Sequence, residues 1–387
     1  MMHKPAIVVV AFNREQSLKR LLLSISNATY TIKDIPLIIS IDYAKDNHQV
    51  KVIADTFNWP HGTKKVIYQN NNLGLRKHIL QCGAHAITYD SVIILEDDLF
   101  VSPNFYEFTL AALNFSSDKS YISGISLYSH QFNVHSRSNF SPLIDGYDNW
   151  YFQFASSWGQ AWTKNQWLLF MTWYNKQENL TPNASLPANV TCWSDKSWLK
   201  YFIAYLVESD TYFLYPRTSY STNFSDMGTH IGKDSTIYQV PLDLGNNIQY
   251  RFSNLEESNS IYDVFYENKK LHNYLNVPKK QLCTDLYGKK EIQKSSRYII
   301  TDNILNYKII KTFGRSLKPH DANIIHEIPG EDIFLYDCQT VQSNPYKLNA
   351  YRKIMYNIKS LHRWEAKIVL FKRIKEMLYN AITKLGL

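Results

Sequence analysis

The sequence predicts an α/β protein built on a doubly wound, largely parallel sheet, and three observations lead there. Its first hundred residues alternate short apolar runs with amphipathic segments. The runs are apolar throughout, not at every second position. Several of them end in polar or acidic residues. A strand that is apolar on both faces must be covered on both, the condition of a parallel sheet flanked by helices. Ligands of such sheets bind at the carboxyl ends of the strands.

The elements follow in order. AIVVVAF, residues 6–12, is a continuous β-branched run and reads as a buried strand. NREQSLKRLLLSISNA follows, with Leu18, Leu21, Leu22 and Ile25 at helical spacing. PLIISIDY, residues 36–43, is a second buried strand, and Asp42 stands at its end. KKVIYQN is a third strand, LRKHILQCGAHAITY one further helix, and SVIILEDD the next strand. Asn13 with Arg14, Asp42, and the triplet Glu96, Asp97 and Asp98 each close a strand, so three strands deliver polar groups to one edge. Residues 145–235, rich in Trp, Tyr, Ser and Asn with little periodicity, are expected to form loops around an acceptor cleft. Residues 250–345 are mixed, with SRYIIT and DIFLYD strand-like. From Leu348 onward Ile354, Ile358, Leu361, Trp364, Ile368, Phe371, Leu378 and Ile382 recur three, four or seven apart, a single helix with one apolar stripe.

Composition narrows the class. With 45% hydrophobic and 20% charged residues in 387, wholesale disorder is excluded. The net charge of +8 is uneven: residues 351–387 hold nine Lys/Arg against two Glu, and the remainder is nearly neutral. That argues against a nucleic-acid-binding surface and for a basic tail. The four cysteines, Cys82, Cys192, Cys283 and Cys338, have no zinc spacing and read as free thiols of a reducing compartment. The apolar start is too short for a signal peptide, and no run approaches the ~20 residues of a membrane span. A cytoplasmic chain is expected. The 28 Tyr and 9 Trp suit a carbohydrate or nucleotide groove, and equally an aromatic core.

The acidic triplet poses the chemical question. Three neighbouring like charges at a buried strand end need a positive partner, because leaving them unpaired costs several kcal/mol. That partner is a hard divalent cation shared with phosphate oxygens, a set of basic side chains, or only water.

Taken together, PAIVVVAFNREQSLKRLL, IISIDY, NNNLGLRKHIL and VIILEDDLFVSPNFYEF resemble the nucleotide-sugar half of GT-A glycosyltransferases. The patterns are similar to N-acetylglucosaminyltransferase I and to bacterial family 2-like transferases of surface polysaccharides. The resemblance continues through SSWGQAW (156–162), CWSDKSW (192–198) and TSYSTNFSDMGTHIG (218–232), covering about residues 5–235. It implies a GT-A, Rossmann-like mixed sheet: residues 1–110 as the nucleotide-sugar half and 111–245 as the acceptor half. Residues 246–345 would be a C-terminal extension and 346–387 a basic amphipathic helix.

The resemblance also implies roles. Asp98 would ligate Mn²⁺ or Mg²⁺ on the donor diphosphate, with His230 as a second metal ligand or phosphate donor. Asp97 would face the ribose, and Glu96 the donor sugar or a basic neighbour. Asp42 would hold the nucleobase edge beside Phe12 and Arg14, with Arg76 and His78 near the nucleotide. Asp195 aligns with the base that activates the acceptor hydroxyl, although Ser194 shifts it one residue from the usual Trp-Asp pair. Glu208 and Asp210 are its reserves. The implied activity is transfer of a sugar from a nucleotide diphosphate, UDP foremost, to a hydroxyl of a glycan or lipid-linked glycan, with inversion.

Plainer roles stand beside these. Asp42 could cap a helix, His230 a turn, and Trp158 and Trp162 could be core. The tail could lie on an anionic membrane surface or pack its stripe on its own domain. Rival functions are a sugar nucleotidyltransferase, which would want a Gly-rich basic loop where AFNREQS stands, and a glycan-binding protein without turnover.

Overall fold

The computed structural model describes residues 3–177, 180, 185–224, 226, 237–245, 249–291, 296–358, 360 and 362–384. The strands of the first two thirds are β1 (Ala6–Ala11), β2 (Leu37–Ile41), β3 (Lys64–Tyr68), β4 (Ser91–Glu96), β5 (Leu99–Val101) and β6 (Ile122–Ser126). After a small hairpin, β7 (Phe132–Asn133) and β8 (Ser138–Asn139), come β9 (Asn149–Phe152), β10 (Gln160–Thr163), β11 (Tyr212–Pro216), β12 (Ser221–Asn223) and β13 (Ile261–Tyr262). Among the described residues, nine of these form one sheet in the order β13-β9-β11-β6-β10-β4-β1-β2-β3.

Strands β1 to β4 run parallel. Strand β10 is antiparallel between β4 and β6, which restores β6 and its parallel neighbour β11 to the direction of β4. The carboxyl ends of β1, β2, β3, β4, β6 and β11 therefore share one edge. The mixed α/β fold expected from the sequence is what the chain adopts.

Alternation along each strand feeds two cores. Ile7, Val9, Leu37, Ile39, Ile93 and Leu95 pack under helices Glu15–Ser26, His48–Thr56 and Phe105–Ser116. Ala6, Val8, Val10, Ile38, Val92 and Ile94 pack under helices Gly74–Gly83, Lys164–Tyr174 and Leu199–Glu208. Double coverage is why these strands are apolar throughout. Strand β3, at the sheet edge, is half-buried and carries two lysines.

The middle of the chain corrects the expectation of loops. Residues 149–216 supply β9, β10 and β11 to the sheet interior, and helices Lys164–Tyr174 and Leu199–Glu208 cover it. Trp162 is fully buried and stacks on Trp167 at 5.0 Å and 10°, so it is core. A Cβ on Gly83 would lie 2.4 Å from the Trp167 ring, so glycine is what admits that indole. The expected single helix after β3 is two, Gly74–Gly83 and Ala86–Tyr89.

The chain keeps contributing to the main sheet past residue 245, through β13. Beyond it, β14 (Leu282–Asp285), β15 (Tyr298–Thr301), β16 (Tyr307–Phe313) and β17 (Ile333–Val341) form a separate sheet in the order β14-β15-β17-β16. Its small core is built on Leu271, Leu286, Ile300, Phe313, Ile324, Ile333 and Leu335. The tail is two helices, Ala350–Asn357 and Arg363–Lys384, not one; Ile358 is extended between them.

Candidate active site at the carboxyl edge

Residue Glu96 pairs with Val10 in the last rung of β4 on β1, and the Asp97 N–H donates to the Val10 carbonyl at 3.0 Å. The two aspartates thus sit where β1 and β4 end. Strand β5 then turns away and pairs with β12, and the Phe224 N–H donates to the Asp98 carbonyl at 3.0 Å. This ribbon pins the acidic turn from its far side.

The positive partner in this structure is Arg14. Its guanidinium donates to Asp98 Oδ2 at 3.0 Å and to Asp97 Oδ1. Asp97 is 2% exposed and also accepts the Phe12 N–H at 3.2 Å. Burial, with repulsion from Asp98 and against the pull of Arg14, pushes Asp97 up to about 6. Burial and the Asp98 charge push Glu96 up to about 8, although Glu96 keeps an accessible edge that water screens. Burial works against the charge on Arg14, but Asp97 and Asp98 outweigh it and hold its pKa above the usual value. One guanidinium leaves this site with an excess of negative charge.

Helix Glu15–Ser26 brings more to the same place. Arg14, Ser17 and Arg20 stand three apart and so share a face. Ser17 Oγ donates to Asp226 Oδ2 at 2.9 Å, Arg20 pairs with the same carboxylate, and its guanidinium lies 3.6 Å from the Phe224 ring centre. Burial opposes ionisation of Asp226, yet these two donors hold its pKa below the ordinary value. Asp226 and Arg20 escaped sequence reasoning; the regular spacing of Arg14, Ser17 and Arg20 was the signal available.

Next along the edge, Asp42 is buried and serves backbone. Its Oδ1 accepts the Tyr43 and Leu73 N–H groups at 2.9 and 2.8 Å, and Oδ2 accepts Gly74 N–H at 3.0 Å. It ties the loop before helix Gly74–Gly83 to β2, the plainer of its two expected roles. Asn47 fastens the loops after β1 and β2 together, donating to the Asp42 carbonyl at 2.8 Å. Phe12 is half-buried beside them. His78 is buried, its Nε2 2.8 Å from Ser40 Oγ, and burial lowers its pKa. It stands inside the helix–sheet interface, not in the open cleft, because the helix turns that face inward.

Arg76 points the other way. It donates to the Tyr201 hydroxyl at 3.1 Å and lies 5.3 Å from that ring centre. Asp195, before the same Tyr201 helix, is 83% exposed and accepts from Lys200 Nζ at 2.8 Å. The Lys200 hydrogen bond and charge, with Arg76 adding to them, lower the pKa of Asp195. Lys200 is itself 3% exposed.

The reserves for the base are corrected by topology. Glu208 ends helix Leu199–Glu208 and Asp210 precedes the first residue of β11, so both lie at the amino edge of the sheet. There Asp210 accepts from Gln153 at 2.9 Å and Lys269 at 2.7 Å, and Glu208 accepts from the Trp173 indole at 2.8 Å. His230 lies outside the described residues.

The donor set fits a divalent cation in chemistry: crowded carboxylate oxygens, partly buried and incompletely neutralised, are hard ligands. Among the described residues no three His, Cys, Asp or Glu stand together as a metal cage. A cation here would hold one or two carboxylates and take its remaining ligands from phosphate or water, the habit of Mg²⁺ and Mn²⁺ at phosphate sites.

A sheet that gathers carboxylates, arginines and a tied loop at its carboxyl edge has the layout of a site for a small charged ligand. The family is more specific. Residues 6–171 match the model of glycosyl transferase family 2. Among curated proteins none matches the chain. It is similar to the mannosyltransferase PcManGT of Pyrobaculum calidifontis, solved with GDP-Man and Mn²⁺, at 14% identity, with 44% of this chain and 47% of that one covered and a TM-score of 0.32. S. aureus TarS is similar at 14% identity, 56% and 36% coverage and a TM-score of 0.36. For TarS residues 1–349 with UDP-GlcNAc the values are 12%, 58%, 60% and 0.37. The aligned parts thus span less than two thirds of each of those chains. The expected likeness to N-acetylglucosaminyltransferase I draws no support from these matches.

Proposed function

We propose that this chain transfers a sugar from a nucleotide diphosphate sugar, UDP foremost, to a hydroxyl of a glycan or lipid-linked glycan, as a bacterial surface polysaccharide is built. The pairing of Asp97 and Asp98 with Arg14, at the end of a strand inside the family 2 match, carries this reading. Asp98, with Asp97 behind it, would hold Mn²⁺ or Mg²⁺. When bound, that cation supplies positive charge to the departing diphosphate. His230 remains a proposed second ligand.

The chain's own residues divide the remaining work. Arg14 is the movable cation: a guanidinium released from the carboxylates is placed to meet phosphate oxygens bidentately. Asp42 and Asn47 keep the loops after β1 and β2 in register, so that Phe12 can meet the base. Asp195, held ionised by Lys200, would accept the proton of the acceptor hydroxyl. The acceptor oxygen then bonds the anomeric carbon as the bond to the diphosphate oxygen breaks, with inversion. A lipid-linked acceptor would place the protein at the inner face of the cytoplasmic membrane.

The test is release of nucleoside diphosphate from a panel of UDP- and GDP-sugars with Mn²⁺, parent against Asp98→Asn and Asp195→Asn. Release by the parent that both substitutions abolish supports the reading. Binding of donor without release under any acceptor condition overturns it in favour of a glycan-binding protein.

A further inference from the structure

The sequence left the tail with two possible partners, its own domain or a lipid surface. For the last helix, the first is not what the fold uses. In helix Arg363–Lys384, Trp364 is 62% exposed, Ile368 57%, Leu370 61%, Phe371 65%, Met377 71% and Leu378 58%. At about 100° per residue these side chains, with Val369 and Ile374, spread over well more than half the helix circumference, with Lys367 and Lys375 among them. That is wider than the two-in-seven seam of a coiled coil and suits a flat apolar boundary. The same helix holds six Lys/Arg, Arg363, Lys367, Lys372, Arg373, Lys375 and Lys384, against Glu365 and Glu376. Among the described residues no helix is long and apolar enough to cross a membrane.

The preceding helix is fixed to the body. Arg352 pairs with Asp332 at 3.2 Å, Lys353 with the buried Asp302 at 2.7 Å, and the Tyr356 ring stacks on His320 at 4.7 Å. Its outer side adds Tyr351, 74% exposed, and Ile354, 59% exposed. The tail therefore begins from an anchored point and offers apolar and cationic groups together.

We propose that residues 351–384 form an interfacial anchor for an anionic lipid bilayer, with helix Arg363–Lys384 lying in the headgroup plane. Apolar side chains enter the acyl boundary while the lysines and arginines reach up to the anionic headgroups. Charge complementarity selects this occupant: the helix carries six Lys/Arg against two Glu, and an anionic leaflet attracts that excess of positive charge. The anchor is independent of the donor site, so its test does not depend on the transferase reading.

The experiment is co-sedimentation of the full chain with phosphatidylglycerol-containing vesicles and with pure phosphatidylcholine vesicles, at low and high salt. Parent, Phe371→Asp and Leu378→Asp would be compared, with folding checked by circular dichroism and association state by light scattering. The expected result is binding to anionic vesicles only, weakened by salt, and reduced about tenfold or more by either substitution. Equal binding to neutral vesicles, or none to either, overturns the proposal. So does a parent dimer that the same substitutions dissolve without any vesicle binding, since a second copy would then cover the face.

Discussion

Replacing Arg14 by Met removes the guanidinium from Asp97 and Asp98 while keeping most of its stem. Asp97, 2% exposed, is then left with the Phe12 N–H and the repulsion of Asp98. Removing one partner of a fully buried pair costs about 3–5 kcal/mol. Arg14 is 25% exposed, so solvent screening brings this to about 2–3 kcal/mol near pH 8. At about 2–4 °C per kcal/mol for a domain of 150–250 residues, that lowers Tm by roughly 4–12 °C. The sign with pH follows from the direction of the shifts. Asp97 and Glu96 have folded pKa values above the ordinary carboxylate range, so the native state holds more protons than the unfolded chain between that range and about 8. Stability from this cluster is present at low pH and falls as pH rises through the window. Near pH 5 Asp97 is largely protonated and needs its cation less, so the Arg14→Met deficit shrinks there. Adding Mn²⁺ at the higher pH stabilises the variant more than the parent, because the cation no longer competes with Arg14. The assay is thermal unfolding of both proteins at the two pH values, with and without Mn²⁺. An unchanged Tm at the higher pH, or the same deficit at both, refutes the charge argument.

Three other outcomes are expected. Lys200→Met removes the main cause of the lowered Asp195 pKa, so the acidic limb of a kcat/KM–pH profile moves to higher pH; an unmoved limb separates Asp195 from the chemistry. Glu208→Gln and Asp210→Asn, at the opposite edge of the sheet, leave kcat unchanged in a transfer assay. Trp162→Ala empties a fully buried site stacked on Trp167 and costs about 3–5 kcal/mol by denaturant unfolding.

Residues 1–110 were legible because their strands are buried on both faces, and AIVVVA and LIISI are short, nearly continuous apolar runs. The carboxylates at the strand ends followed from that. The elements of residues 149–216 were not legible. NWYF and QAWT are four-residue strands whose apolar residues give no alternation to read, and KNQWLLFMTWY has apolar residues all round. Asp42 shows a different limit: a carboxylate at a strand end predicts a site, but only three-dimensional contact reveals that three backbone N–H groups use it. Asp226 lies far from Arg20 in sequence, and no local pattern ties them.

The central claim is that Asp98 and its neighbours hold a cation together with a nucleoside diphosphate, and calorimetric titration of UDP and GDP with and without Mn²⁺ tests it most directly. The account predicts Mn²⁺-dependent binding of one nucleotide by the parent and its loss in Asp98→Asn. Binding that ignores both Mn²⁺ and the substitution would contradict it.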